Sequence, residues 1–328
     1  MVDSLDLKDR RLLLELDTDC RQSNAEIGRK IRLSKEVVKY RIGKLIEKKI
    51  INSFSAHVDL TKLGYRMCKI YFQLQKSKSE GQIVEYLLSK KQVFWLASCE
   101  GNWNIICGVL LKDVFYFHEF IADVLNKFSD AILKKAISIS IFIPEFPKAY
   151  LVERQNSQLR HNSFGGICGD IVLSENELLL LRVLSMNARL STTEIAEKTG
   201  LSPMQVSYGI KKLKREKIIL SFRLNLNYEK LGLLYFKQFV TFRAPTKEKI
   251  GSAIEFCRKH PNITYSIFCI GTWDLEIDSE VKNYSEFNAL AKEFKEKFSD
   301  IILSHESIQI SKEYKMDFMP ESIGPYSK

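Results

Sequence analysis

Apolar residues fall three and four apart through the first 55 residues of the chain and again from about residue 172 to 220, the spacing that builds one face of a helix. Farther along, Ala136 to Phe142 alternates, with Ile137, Ile139 and Ile141 on one side and Ser138 and Ser140 on the other, the spacing of a strand. Cap signals divide the helical stretches. Asp6 can cap a helix carrying Leu12, Leu13 and Leu16; Ser23 and Glu26 form a capping box for Ala25 to Ile31; Ser34 caps a third helix to about Lys48. Ser174 with Glu177, Ser191 with Glu194, and Ser202 followed by Pro203 repeat these signals downstream.

The repetition is internal to the chain. Ile27, Ser34, Val38, Lys44, Leu45, Lys49, Ile50, Ile51 and Phe54 recur 168 positions later, and Gly101-Asn102-Trp103-Asn104 answers Gly271-Thr272-Trp273-Asp274 at an offset of 170. In each copy only a tight turn, Arg32-Leu33 or Gly200-Leu201, separates the second and third helices, which form a helix-turn-helix. Residues 50–56 and 218–224 read as short strands, consistent with a small wing. Strands are then predicted at 67–74, 93–99, 103–111 and 131–143, with helices at 79–90 and 113–127. The second copy gives strands at 234–242, 263–270, 273–280 and 301–312, with helices at 247–259 and 283–297. The order is βαββαβ, a ferredoxin-like layer of helices on an antiparallel sheet.

The predicted fold is therefore α+β: two winged helix-turn-helix domains (1–60 and 171–229) and two ferredoxin-like βαββαβ domains (65–147 and 233–318), arranged as a tandem repeat. Residues 148–170 are left as a linker, polar from Glu153 to Gln158 and glycine-rich at Gly165, Gly166 and Gly169.

The third helix suggests what the unit binds. Val38, Ile42 and Leu45 share the face that packs inward, so Glu36, Lys39, Tyr40, Gly43 and Lys44 point out, a basic surface with an aromatic on it. Charge agrees: Lys plus Arg number 50 against 40 Asp plus Glu, a formal +10, and residues 1–150 carry +7 of it, which favours a polyanionic partner for the first copy. The seven cysteines, Cys20, Cys68, Cys99, Cys107, Cys168, Cys257 and Cys269, show no C-x-x-C spacing and are expected to be free thiols in a reducing compartment. The start, Met1-Val2-Asp3-Ser4, shows no basic region followed by an apolar core, so no signal peptide is expected, and no uncharged apolar run reaches the ~18–20 residues of a membrane helix. A soluble cytoplasmic protein with no membrane partner is expected. His57, His118, His161, His260 and His305 lack metal-ligand spacing, and no P-loop, G-x-S-x-G or H-E-x-x-H occurs, so neither a metal, a cofactor nor an enzymatic activity is expected.

Leu33-Ser34-x-x-x-Val38-x-x-Arg41-Ile42-x-Lys44-Leu45, then Lys49-Ile50-Ile51, then a βαββαβ domain with a Gly-x-aromatic-Asp hairpin, resembles the Lrp/AsnC (feast/famine) transcription regulators, once per copy. The resemblance implies a sequence-specific regulator binding double-stranded DNA through its third helix and assembling through the βαββαβ domains, between which a small molecule, often an amino acid, binds as effector. It places DNA contacts on Ser34, Lys35, Val37, Lys39, Tyr40, Arg41 and Lys44, and on Ser202, Gln205, Ser207, Tyr208, Lys211 and Lys212. Arg41 has Gly209 as its counterpart, so the copies should read DNA differently, although Lys211, Lys212, Lys214 and Arg215 could still hold phosphates. Effector-linked positions fall on Gly101, Asn104, Gly271 and Asp274. There an amide replaces a carboxylate in the first copy; the more economical reading of the glycines is that they permit a tight hairpin turn.

Fusion of two copies favours pairing within the chain, an intramolecular pseudo-dimer with two unlike recognition helices, open to higher homo-oligomers. A second family shares this plan, the siroheme decarboxylases, tetrapyrrole enzymes with a His-rich motif on the second strand of the sheet domain. Here those strands read Val93-Phe94-Trp95-Leu96-Ala97-Ser98 and Thr264-Tyr265-Ser266-Ile267-Phe268, without His or Arg.

Overall fold

The computed structural model describes residues 5–75, 77–152 and 161–323. Its first helices are α1 (Leu7–Thr18), α2 (Asn24–Ile31) and α3 (Lys35–Glu47), capped by the side chains of Asp6, Ser23 and Ser34. Strand β1 (Ile51–Val58) follows, then β2 (Arg66–Leu74), α4 (Glu80–Leu88), β3 (Val93–Glu100), β4 (Ile105–Leu111), α5 (Val114–Lys127) and β5 (Ile132–Glu145). After a short strand β6 (Asn162–Gly165), the second copy gives α6 (Glu175–Met186), α7 (Thr192–Thr199), α8 (Pro203–Arg215) and β7 (Ile219–Leu226). It ends with β8 (Leu234–Phe242), α9 (Lys247–Lys259), β9 (Ile263–Gly271), β10 (Leu275–Val281), α10 (Tyr284–Lys297) and β11 (Ile302–Met316). These are the two helix-turn-helix and two βαββαβ units the sequence predicts.

The two copies pair with each other within the chain. The expected wings are not separate: β1 pairs antiparallel with β7, with Phe54 opposite Leu224, Ser55 opposite Arg223 and Ala56 opposite Phe222. Because each residue is matched 168 positions on, this register places a pseudo-twofold axis through the Ser55–Arg223 pair. Helix α1 packs on β7 and α6 on β1, so each helix-turn-helix rests on the other copy's strand. Reciprocal bonds fasten the exchange: Arg21 Nη1 donates to the carbonyls of Ala188 and Leu190, and Arg189 Nη1 to those of Cys20 and Gln22.

The two four-stranded sheets close on each other. The order β2-β4-β3-β11-β8-β10-β9-β5, with β5 pairing back to β2, is an eight-stranded antiparallel barrel. Strand alternation then divides each sheet. Cys68, Ile70 and Phe72 of β2 face the first copy's helices, while Met67, Lys69 and Tyr71 face the barrel interior; in β10, Leu275 and Ile277 face α9 and α10, while Glu276, Asp278 and Glu280 face inward.

The connector is also part of the fold. Glu153 to Gln158 lie outside the described residues, but β6 adds to the edge of β5, Phe164 is buried, and the backbone N–H groups of Gly169 and Ile171 donate to the carbonyls of Thr61 and Lys62. The flexibility expected of Gly165 is instead close approach: a Cβ there would stand 2.3 Å from the Ile141 carbonyl oxygen. Among the described residues all seven cysteines are free, no group of His, Cys, Asp and Glu is placed to hold a metal, and no helix is long and apolar enough to cross a membrane.

Candidate nucleic-acid interface

The faces predicted to be outward are outward. Along α3, Val38, Ile42 and Leu45 are buried, and Ser34, Lys35, Val37, Lys39, Tyr40, Gly43 and Lys44 are exposed, Tyr40 at 65%. Ser34 Oγ accepts from the Val37 N–H at 3.2 Å, and this capped helix N-terminus is exposed, with Lys35 next in the chain. Arg41 is placed otherwise. Its Nη1 donates to Asp6 Oδ2 at 2.6 Å and Asp9 Oδ1 at 2.7 Å, so the guanidinium is turned back onto the first turn of α1. It stands between the inner and outer faces and is half-buried. Those bonds raise the Arg41 pKa.

On α8 and its cap the exposed residues are Ser202, Pro203, Met204, Gln205, Ser207, Tyr208, Lys211, Lys214 and Arg215. Ser202 and Gln205 close a capping box, with the Ser202 N–H donating to Gln205 Oε1 at 2.8 Å. Lys212 is half-buried and donates to Glu177 Oε1 at 2.6 Å. Gly209, the counterpart of Arg41, is buried, and a Cβ there would stand 2.5 Å from Leu180 Cδ1, so the glycine lets α8 approach α6. The two helices thus present unlike surfaces, related by the pseudo-twofold axis of the wing ribbon.

The hairpin positions act on backbone. Asn104 Oδ1 accepts from the Leu74 N–H at 2.8 Å, and Asp274 Oδ2 from the Phe242 N–H at 2.7 Å, residues at matching places in the two copies. Amide and carboxylate oxygens serve that purpose alike. Gly101 and Gly271 have φ of 128° and 147°, and a Cβ at Gly271 would stand 2.1 Å from the Ile137 carbonyl oxygen. Each glycine lets a hairpin pass the strand of the other copy at a barrel seam. None of the four lines either interior cavity.

Sequence reasoning did not find the buried ionic groups inside the barrel. Lys69 and Lys237 occupy matching positions in the two copies, yet both are matched by carboxylates of β10. Glu276 Oε2 lies 2.5 Å from Lys69 Nζ and 3.2 Å from Lys237 Nζ, and Asp278 bonds Lys237. Tyr71, Ser138 and Trp273 donate to Glu276 Oε1. Burial alone would raise the Glu276 carboxyl, but the two lysines hold it well below the ordinary range. The corresponding first-copy strand offers Ile106 and Gly108 instead. Nearer the wings, Arg223 pairs with Asp17 at 2.7 Å and Glu145 at 2.8 Å, both from the first copy. Lys69 and Arg223 thus find their carboxylates in the other copy, while Lys237 is matched within its own.

Comparison with known proteins now bears on the interface. The model of the AsnC-type helix-turn-helix domain matches residues 5–46, and that of a winged helix-turn-helix DNA-binding domain matches residues 173–219. Over 123 residues the chain is 29% identical to the HTH-type transcriptional regulator Ptr1 of Methanocaldococcus jannaschii, covering 38% of this chain and 81% of that one. Over 115 residues it is 41% identical to the HTH-type transcriptional regulator Rv2324 of Mycobacterium tuberculosis, covering 34% of this chain and 77% of that one. The chain belongs to the Lrp/AsnC family. This Lrp/AsnC protein is a transcriptional regulator with helix-turn-helix DNA-binding domains. Its fold is also similar, over 95% of this chain and 93% of the other, to the siroheme decarboxylase NirDL, solved alone and with an iron-uroporphyrin III analogue; the TM-scores are 0.62, with 10–11% identity. That likeness is one of fold.

Proposed function

We propose that the chain is a self-contained pseudo-dimer that binds double-stranded DNA sequence-specifically at an asymmetric site, responds to a small molecule, and catalyses no reaction. The observation that carries this reading is the pair of exposed, unlike surfaces of α3 and α8 disposed about the Ser55–Arg223 axis, the arrangement by which paired helix-turn-helix units meet two half-sites. Cross-copy charge matching supports pairing inside one chain: a partner made of two first copies would bury Lys69 against no carboxylate, and one made of two second copies would lack Asp17 and Glu145 for Arg223. Being DNA-bound, it would work in the cytoplasm; association of pseudo-dimers into larger assemblies is compatible with the family.

The test is a salt titration of duplex binding. Replacing Lys39 and Lys44 by alanine should lower both affinity and the slope of log K against log salt, by about 0.9 per lost phosphate contact. Arg41→Ala should change the slope less, since Asp6 and Asp9 hold that charge. Duplex binding unchanged by the lysine substitutions would refute the assignment of α3.

The likeness to NirDL makes a tetrapyrrole enzyme the second reading. Two features oppose it: β3 and the 264–268 segment of β9 carry no His or Arg, and the interior cavities, about 90 and 60 Å³, are well under the roughly 300–1,000 Å³ of ordinary cofactor pockets. Mixing with an iron tetrapyrrole should leave its absorption spectrum unchanged.

A further inference from the structure

Where the wing ribbon meets the barrel, a cavity of about 90 Å³ is lined by Asp17, His57, Glu145, Arg223, Glu280 and Glu313, among others. Its cations are already engaged. Arg223 is shared by Asp17 and Glu145, and Lys148 bonds Glu280. The carboxylates are not all answered. Glu145 Oε1 takes Arg223, Tyr265 and the close approach of His57 Nδ1 at 2.8 Å, while Oε2 of the same fully buried side chain has no partner among the described residues. Glu313 accepts from Trp95 Nε1 at 2.9 Å and forms no ion pair among them. His57 Nε2 and the Tyr228 hydroxyl, both lining the cavity, are likewise without partners there, and His57 is 3% exposed. Burying such groups unanswered is costly.

A second cavity of about 60 Å³ shares Tyr235, Tyr265, Met316 and Phe318 with the first; Met67, Phe94, Ile143, Phe164 and Ile267 supply apolar wall, and its charged residues, Lys69, Lys237 and Asp278, are held in the ion pairs around Glu276. Jointly the two are comparable with the ~150 Å³ apolar cavity that holds benzene. Phe318, stacked on His57 with ring centroids 4.0 Å apart, belongs to the C-terminal segment that covers them.

We propose that these two adjoining cavities bind a small organic ammonium ion carrying a short apolar group, an amine and not an amino acid. The ammonium would sit between Glu145 Oε2 and Glu313 and supply the cation the wall lacks, and the apolar group would enter the second cavity. A carboxylate on the same molecule would find every lining Lys and Arg already in a salt bridge, and would meet Glu280 and Glu313 besides. Asp17, His57 and Arg223 belong to α1, β1 and β7, so the bound ligand would touch the platform that carries both recognition helices. That regulatory consequence rests on the DNA-binding reading; the site does not.

Calorimetric titration of the full chain with 3-methylbutan-1-amine tests the proposal, with 3-methylbutan-1-ol and leucine as comparators. One site should saturate with the amine, while the alcohol and leucine bind at least about tenfold more weakly, the loss expected for one charged hydrogen bond. Glu313→Gln, which keeps an acceptor for Trp95, should weaken the amine about ten- to hundredfold and leave the alcohol unchanged. Ile143→Phe, which fills the apolar cavity, should weaken both. The proposal is overturned if no amine binds up to about 10 mM, if the alcohol matches the amine, if leucine matches or exceeds it, or if Glu313→Gln has no effect. No DNA enters this assay, so its failure leaves the reading of α3 and α8 standing.

Discussion

Glycine-to-alanine substitution in the two recognition helices should have opposite consequences. On helix propensity alone each change would stabilise by about 1 kcal/mol. Gly43 lies on the exposed face of α3, and a Cβ built there meets nothing within 4 Å. Gly43→Ala should therefore show the gain nearly in full. At Gly209 the new Cβ would stand 2.5 Å from Leu180 Cδ1, and Leu180 is itself 1% exposed in the core. Moving that side chain off its rotamer or separating α8 from α6 costs about 1–3 kcal/mol. Set against the propensity gain, Gly209→Ala should range from neutral to about 2 kcal/mol destabilising. Urea unfolding of the two variants beside the parent, without DNA and at a common slope, measures both. If Gly209→Ala stabilised the protein as much as Gly43→Ala, the close approach of α8 to α6 would not be what the glycine is for.

Three further outcomes follow from buried charge and the hairpins. Arg223→Met should destabilise by about 3–5 kcal/mol in urea unfolding, because Asp17 and Glu145 are left buried without their cation. Burial, partly offset by the Trp95 hydrogen bond, pushes the Glu313 carboxyl up to about 7. The folded state then holds this proton more tightly than the unfolded one, so the associated stability is complete below about pH 4.5 and is lost as pH rises through 7, a total on the order of 3 kcal/mol. The stability of Glu313→Gln minus that of the parent should accordingly grow over this window and level off above it, and a flat difference would contradict the burial of that carboxyl. Asp274→Asn should stay within about 1 kcal/mol of the parent in thermal unfolding, since its amide oxygen can still accept from the Phe242 N–H, whereas Asp274→Ala leaves that donor without its side-chain partner.

Local chemistry made the elements legible. Ser23 with Glu26, Ser174 with Glu177 and Ser191 with Glu194 form capping boxes where the spacing places them, and the alternation around Ile137, Ile139 and Ile141 lies within β5. The repeat offset gave two units of each kind. Pairing of the copies follows from their fusion, but which strands carry it was not legible, because residues 51–58 and 219–226 read as strands without indicating that each would pair with the other. A charged residue in a strand read alone is assigned to solvent, so the alternation of Glu276, Asp278 and Glu280 with Leu275, Ile277 and Ser279 pointed outward until barrel closure turned it inside. A signal did exist: Lys69 and Lys237 sit amid apolar strands at the same place in both copies. Arg41 shows a different limit, since helical spacing fixes the direction of its Cα–Cβ bond but not whether Asp6 and Asp9 capture its far end.

The central claim, that one polypeptide carries both unlike halves of a DNA-reading pair, is tested most directly by selecting duplexes from a random pool with the full chain and measuring chains bound per selected duplex. The account predicts two dissimilar half-sites and one chain per duplex, with symmetrised versions of either half competing poorly. Recovery of palindromes occupied by two chains would contradict it.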